Sequence, residues 1–224
     1  MIKKKALLLL SGGFDSPVAG YLMKTQGLEI IALHFSLEPF TDNSAEIKSK
    51  KIAKHLGIKK FITITNGQQQ AELTKKCDHR FYYILQRRLY LRIAEIIAKK
   101  NPENIFGKQG KEGTEEKEGC AYLITGDNIG QVGSQTLKNM EVITRAVNLP
   151  ILRPVLCNDK NETIDFAKKI GTYELSVGPE MCSVLGPKHP ATTSTLEKVE
   201  NEERKVDINQ LIEGSLKTMK IESL

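Results

Sequence analysis

Five short runs of aliphatic and β-branched residues, at 6–10, 30–35, 61–65, 121–125 and 150–156, punctuate the chain. Between them lie longer stretches in which apolar side chains recur every three or four positions. Runs this short and uniformly apolar are strands buried on both faces, and the periodic stretches are crossover helices. The pattern therefore predicts a doubly wound α/β domain built on a parallel sheet of about five strands. The first helix is expected to be capped by Ser16, with Pro17 in its first turn, Val18, Tyr21 and Leu22 on one face, and Gly27 as its stop. A second should run over 44–56 and stop at Gly57. A third, over 81–100, buries Ile84, Leu85, Leu89, Ile93, Ile96 and Ile97. A fourth follows the Gly126-Asp127-Asn128 turn, and a fifth over 160–170 is capped by Asn158 or Asp159 and ended by Gly171. Two segments stand apart. Residues 101–119 are glycine-rich and charged, and predict a flexible surface insertion. From 192 onward the pattern is two charged amphipathic helices around Asp207, so 1–191 is expected to form one domain and 192–224 a helical tail that packs on it or on a partner.

Composition changes this picture little. The 224 residues are 40% hydrophobic and 27% charged, which excludes a disordered, collagen-like or coiled-coil chain. A net charge of +6 permits a nucleic-acid partner without requiring one, while the absence of Trp and 6% aromatic content argue against a stacking surface for single strands. No apolar run approaches the ~18–20 residues that cross a bilayer. The opening Met1-Ile2-Lys3-Lys4-Lys5 resembles the start of a signal peptide, but the apolar stretch after it is short and runs into Ser11-Gly12-Gly13. The expectation is a first buried strand of a cytoplasmic protein with no membrane partner. Cys77, Cys120, Cys157 and Cys182 lie far apart with no Cys-x-x-Cys pair, the usage of free thiols and not of a disulfide framework or zinc site.

The most chemically specific stretch is Leu9-Leu10-Ser11-Gly12-Gly13-Phe14-Asp15-Ser16-Pro17. A buried strand ends in two glycines and a helix begins at once. Glycines let main-chain N–H groups turn toward a ligand at close range, and a helix N-terminus adds the positive end of its dipole. At the carboxyl edge of a parallel sheet such a loop suits a phosphate or pyrophosphate. The Gly-x-x-x-x-Gly-Lys-Ser/Thr and Gly-x-Gly-x-x-Gly spacings are both absent. Taken alone, a Gly-Gly turn with a capping serine accounts for the stretch equally well.

The surrounding sequence breaks the tie. Ser-Gly-Gly-x-Asp-Ser after a first strand resembles the PP-loop of ATP pyrophosphatases, which cleave ATP between the α and β phosphates (the adenine nucleotide alpha hydrolase-like fold). The longer string SGGFDSPVAGYL at 11–22 is similar to the 4-thiouridine synthetase (ThiI) family. Three further segments match in the same chain order. TGDNIGQVGSQTL at 125–137 resembles the family's TGE-x-x-GQV-x-SQTL. Residues 151–160 with Ile170-Gly171-Thr172 resemble its ILRPL…DK…IGT. Pro179-Glu180-Met181-Cys182 resembles the Pro-Glu-Tyr-Cys around its sulfur-carrying cysteine. The likeness spans about 6 to 219, interrupted by the 101–119 insertion.

The resemblance implies an ATP-dependent tRNA sulfurtransferase, of a family tied to tRNA modification and thiamine biosynthesis. ATP adenylates a uridine O4 in tRNA, and a persulfide sulfur then displaces AMP to give 4-thiouridine. It assigns ATP to Leu9, Leu10, Ser11, Gly12, Gly13, Asp15 and Ser16, to His34 and Phe35 at the second strand's end, to Arg87 on the long helix, and to Gly126 and Gln135. Asp15 would hold Mg2+ or orient pyrophosphate; by itself it is a first-turn carboxylate favoured by the dipole. Lys160 would neutralise phosphate charge; by itself it is a solvent-exposed lysine, though one placed unfavourably beside a helix N-terminus. Arg87 next to Arg88 reads equally as surface charge, and His34 on an apolar strand as a core histidine. Cys182 would carry sulfur, since a persulfide or thiolate needs an accessible cysteine, and Lys188 and His189 nearby favour the thiolate. Cys77 and Cys120 read as small buried hydrophobes, and Cys157 as a candidate second thiol that resolves a disulfide with Cys182. Implied partners are tRNA, a persulfide donor such as a cysteine desulfurase, and a second copy in a homodimer.

The family pattern also places an RNA-binding THUMP region before the first strand, for which the strand at Ala6 leaves no room, and in some members a rhodanese-like region after the tail. Where some relatives carry cluster-ligating cysteines on the long helix, this chain has Tyr83 and Gln86, so no iron–sulfur cluster is expected. These departures keep two alternatives open: a PP-loop enzyme that thiolates or amidates a small molecule, and a non-catalytic nucleotide-binding subunit.

Overall fold

The computed structural model describes residues 4–100, 119–130, 133–178 and 184–224. The expected insertion, but for Gly119, and Cys182 lie outside the described residues. The strands are β1 (Lys5–Leu9), β2 (Glu29–Ser36), β3 (Lys60–Thr65), β4 (Tyr122–Ile124), β5 (Ile151–Leu152) and β6 (Lys220–Ser223). They form one sheet in the order β5-β4-β1-β2-β3-β6. Every pairing is parallel except that of β6 on β3. The sheet thus has six strands, not the expected five. The sixth, Lys-Ile-Glu-Ser, is an edge strand with no apolar run to announce it; the open edge of β3 makes it a strand. In the other direction, β5 covers two residues of an expected seven, because Arg153-Pro154 follows and proline has no N–H to extend a ladder.

Strand alternation divides the core between two faces. Leu7, Leu33, Ile62, Ile64 and Leu123 point to one, where α3 (Gly67–Lys76), α4 (Tyr82–Lys100), α5 (Leu137–Thr144), α8 (Leu196–Glu203) and α9 (Ile208–Leu216) supply Leu73, Leu89, Ile143, Val199 and Leu211. Ala6, Leu8, Leu10, Ala32 and Ile124 point to the other, against α1 (Asp15–Thr25), α2 (Ser44–His55), α6 (Lys160–Lys169) and α7 (Tyr173–Ser176). Such two-sided burial is why 6–9 of β1 and 30–33 of β2 read as unbroken apolar runs. Helix α3 has no counterpart in the apolar pattern, since Gly-Gln-Gln-Gln-Ala-Glu-Leu-Thr-Lys-Lys has too few apolar positions to show a period. Helix α1 begins two residues earlier than expected, and Ser16 does not cap it: no side chain bonds at its N-cap, Phe14. Of the two candidate caps for α6, Asp159 is the one used, in a reciprocal capping box with Glu162. Among the described residues no helix is long and apolar enough to cross a membrane.

The tail packs on the domain. Asp207 caps α9 by accepting the Gln210 N–H at 3.0 Å. A buried charge cluster anchors α8: Arg88 of α4 donates Nε and Nη2 to the Glu203 carboxylate at 2.7 and 2.9 Å and Nη1 to the Val142 carbonyl, and Arg92 donates two more bonds to the same carboxylate at 2.6 and 2.9 Å. Burial alone would raise the Glu203 pKa, but the hydrogen bonds from Arg92 and Arg88 outweigh it and hold the carboxyl below its ordinary value. A depressed folded-state pKa contributes stability above the unfolded value of about 4.3 and loses it as pH falls through the folded one. Glu203→Gln, which leaves the buried Arg88 charge uncompensated, is expected to cost about 3–5 kcal/mol in urea denaturation at pH 7. The gap between variant and wild type should close as the pH drops below about 4.

Candidate active site

Chain order and strand order part company at β1. From β1 the chain steps through β2 to β3, then α4 carries it back across the sheet to β4 on the other side of β1. The segments leaving β1 and β4 therefore lead to helices on opposite faces of the sheet and border a crevice at its carboxyl edge, the place where such sheets bind ligands. The glycine loop occupies it. Gly12 has φ +82°, a left-handed conformation open to glycine at no steric cost. A Cβ at Gly13 would meet nothing nearer than Ser11 Oγ, at 3.6 Å, so space lies over that residue. The loop is braced from within: Ser16 Oγ accepts the Ser11 N–H at 3.1 Å and lies 3.2 Å from Ser11 Oγ. Ser16, buried in the first turn of α1, is thus a loop-shaping residue in place of the expected cap. Asp15 opens the helix, half-buried in the same turn.

Gly126, at the exit of β4, lies directly on that turn; a Cβ there would come 2.5 Å from Ser16 N and 2.8 Å from the Asp15 carbonyl carbon. The next residue, Asp127, is buried, accepts the Thr125 hydroxyl at 2.8 Å, and pairs with Arg87 of α4 and, at 2.9 Å, with Arg153. One carboxylate facing two guanidiniums leaves this corner net positive. Asn128 Nδ2 donates to the carbonyls of Val155 and Asn158 at 3.0 and 2.7 Å, holding the segment that leads into α6 beside the crevice. Lys160, first residue of that helix, is exposed. Gln135 ends a short 3-10 turn, is buried, and has an Oε1 with no hydrogen-bond partner among the described residues.

Strand β2 treats its last residues differently. Phe35 stacks on Tyr90 of α4, with centroids 4.0 Å apart and rings 4° from parallel. His34 turns to the opposite face, where its Nδ1–H donates to the Leu10 carbonyl at 2.9 Å and lies 3.1 Å from Ser49 Oγ. Burial lowers its pKa and keeps the ring neutral. Its imidazole is a core group that fixes the end of β1, while its main chain shares the sheet edge with Leu9 and Leu10.

The structure thus gathers Leu9, Leu10, the 11–16 loop, Gly126 and Arg87 around one crevice, with Gln135 and Lys160 on segments tied to the β4 exit loop. Asp127 and Arg153 went unassigned in the sequence although both lie inside the matching segments. Lys48 of α2 went unassigned as well. Of the thiols, Cys157 is exposed, whereas burial, reinforced at Cys77 by the Glu202 carboxylate, pushes Cys77 and Cys120 each up to about 11.

A largely parallel, doubly wound sheet with a glycine loop at its switch point, flanked by two arginines that share one carboxylate, defines the class of α/β fold. The chain belongs to the ThiI family: the profile described as thiamine biosynthesis protein (ThiI) matches residues 1–106 and 111–208. It is 40% identical, over 98% of its length, to a probable tRNA sulfurtransferase of Alkaliphilus oremlandii (strain OhILAs), of which it covers 53%. It is 38% identical to one of Acetivibrio thermocellus (strain ATCC 27405), matching over 97% of this chain and 53% of that protein. The chain spans about half the length of the curated relatives it matches. Among solved structures, a 4-thiouridine synthetase–RNA complex with bound ATP superimposes with a TM-score of 0.86 at 34% identity, covering 99% of this chain and 55% of that one. An NMN synthetase from Francisella tularensis, 16% identical with a TM-score of 0.55 over 95% of this chain and 76% of its own, shares the fold alone.

In the native protein at neutral pH, limiting iodoacetamide is expected to alkylate Cys157 well before Cys77 or Cys120, whose protonated thiols are buried. Peptide mass spectrometry over a time course checks this, and urea should abolish the difference.

Proposed function

We propose that this chain is the catalytic domain of an ATP-dependent tRNA sulfurtransferase that makes 4-thiouridine. The observation that carries the proposal is the glycine loop seated at the switch point, in a chain that superimposes almost entirely on an ATP-bound 4-thiouridine synthetase. The site suits a nucleotide triphosphate. Space opens over Gly13, the first amides of α1 have no partners inside the helix, the Arg87–Asp127–Arg153 corner is net positive, and the buried Gln135 Oε1 can accept an N–H or O–H.

The amides of Ser11, Gly12 and Gly13 and the first turn of α1 face the phosphates, while Leu9, Leu10, His34, Phe35, Gly126 and Gln135 border the nucleoside. Arg87 and Lys160 offset charge on the phosphates as pyrophosphate departs. Asp15 is the residue to hold Mg2+; among the described residues no set of three His, Cys, Asp or Glu forms a cage, and Mg2+ bound through one carboxylate plus phosphate oxygens needs none. When bound, the ion screens phosphate charge.

The chemistry divides one difficult displacement into two. The uridine O4 attacks the α-phosphorus, the bond to the bridging oxygen breaks, and pyrophosphate leaves. The terminal sulfur of a persulfide on Cys182, loaded by a donor of the cysteine desulfurase type, then attacks C4, and the C4–O bond breaks to release AMP. A second thiol cleaves the remaining S–S bond, taking Cys182 into a disulfide and leaving sulfur on the base. The exposed Cys157 is the candidate, and a reductant must then reopen the disulfide.

Incubation with tRNA, ATP, Mg2+ and a persulfide donor is expected to release pyrophosphate and yield thiolated uridine, read by mass spectrometry of the digested tRNA. Asp15→Ala should lower pyrophosphate release about 100-fold or more, whereas Cys182→Ser should keep that release and stop thiolation. Pyrophosphate release that ignores tRNA would point to a small-molecule substrate. ATP binding with no release under any condition would leave a nucleotide-binding subunit.

A further inference from the structure

Helix α2 leans its first turns over the glycine loop. A Cβ at Gly12 would lie 3.0 Å from Ser49 Oγ and 3.4 Å from Lys48 Cδ, so the aliphatic stem of Lys48 lies along the loop. From there its Nζ donates to the Ser176 carbonyl at 3.2 Å, and a Cβ at Gly178 would lie 3.4 Å from the same nitrogen. Two more contacts close this corner. Ser176 Oγ donates to the Gly13 carbonyl at 3.5 Å, and Phe14 stacks on Tyr173 with centroids 5.2 Å apart. Lys48 is thus wedged between the phosphate loop and α7.

Its charge is unanswered there. Among the described residues no carboxylate lies within ion-pair distance of Lys48, whereas Lys50, half a turn on, pairs with both Glu46 and Glu222 at 2.6 Å. An ammonium carries three donors, and the one neutral carbonyl takes a single bond. A half-buried lysine bedded on a glycine loop with two donors to spare is placed to meet an anion on that loop.

We infer that Lys48 is a phosphate-contacting residue of the ATP site, approaching the glycine loop from the α2 side while Arg87 approaches from α4. The inference rests on the proposal that this loop binds the phosphates of ATP. It adds a cation that lies within the family match but outside the four short motifs quoted for the resemblance.

The test is direct binding. Wild type, Lys48→Met and Lys48→Arg are titrated calorimetrically with ATP plus magnesium and with adenosine. Lys48→Met should weaken ATP binding about tenfold or more, leave adenosine binding unchanged, and be partly rescued by Lys48→Arg. Equal ATP affinity in wild type and Lys48→Met overturns the inference, as does equal weakening for ATP and adenosine, which marks a distorted loop. A wild type that binds no ATP instead overturns the reading of the loop itself. Amine acetylation of the wild-type protein, read by mass spectrometry, needs no variant. ATP should protect Lys48 at least severalfold where adenosine does not, and a rate at Lys48 indifferent to ATP refutes the contact.

Discussion

Main chain rests on main chain where the exit of β4 meets the first turn of α1. With 2.5 Å between a would-be Cβ at Gly126 and the nitrogen of Ser16, any side chain there must push one of the two loops aside. The crevice depends on this approach. It brings Asp127, the residue after Gly126, to the edge of the glycine loop, and Asp127 in turn draws in Arg87 from α4 and Arg153 from beyond β5. A glycine is a small thing in a sequence, but it sets how closely the two halves of this sheet converge around a ligand.

Helix α4 links the crevice to the tail. Arg87 and Arg88 are neighbours in sequence but about 100° apart around the helix. Arg87 therefore reaches Asp127 at the crevice, and Arg88 is buried against Glu203 of α8. Each carboxylate serves two arginines, which satisfies the buried charges and leaves a positive excess on two different faces of the helix. At the tail that excess is structural, where removing one partner strands the others in low dielectric. At the crevice it lies beside loop amides that share its sign of potential, and the pair favours a polyanion more than either does alone.

Much of the fold was legible because burial on both faces writes itself as uninterrupted apolar runs. The strands from Ala6, Ile30 and Phe61 and the stripe from Ile84 to Ile97 are of that kind. What escaped had little apolar content of its own. Helix α3 carries three glutamines in a row, and β6 is a strand because β3 has an open edge to pair with. The glycine loop was legible as a tight turn between β1 and α1, yet Ser16 was misjudged as a cap. A serine at the start of a helix can bond forward to helix amides or backward to the loop, and the path of the loop decides between them.

The sequence by itself determined the α/β class, the position of the glycine loop and the kinship of the chain, because strand burial and a glycine-rich turn are local properties of neighbouring residues. The tertiary structure alone decided which charges meet: Asp127 with Arg87 and Arg153, Glu203 with Arg88 and Arg92, Lys48 with the corner of the glycine loop. Those pairings join residues tens to more than a hundred positions apart. The energy of a charge depends on which groups share its low-dielectric surroundings, and the order of residues along the chain does not disclose that.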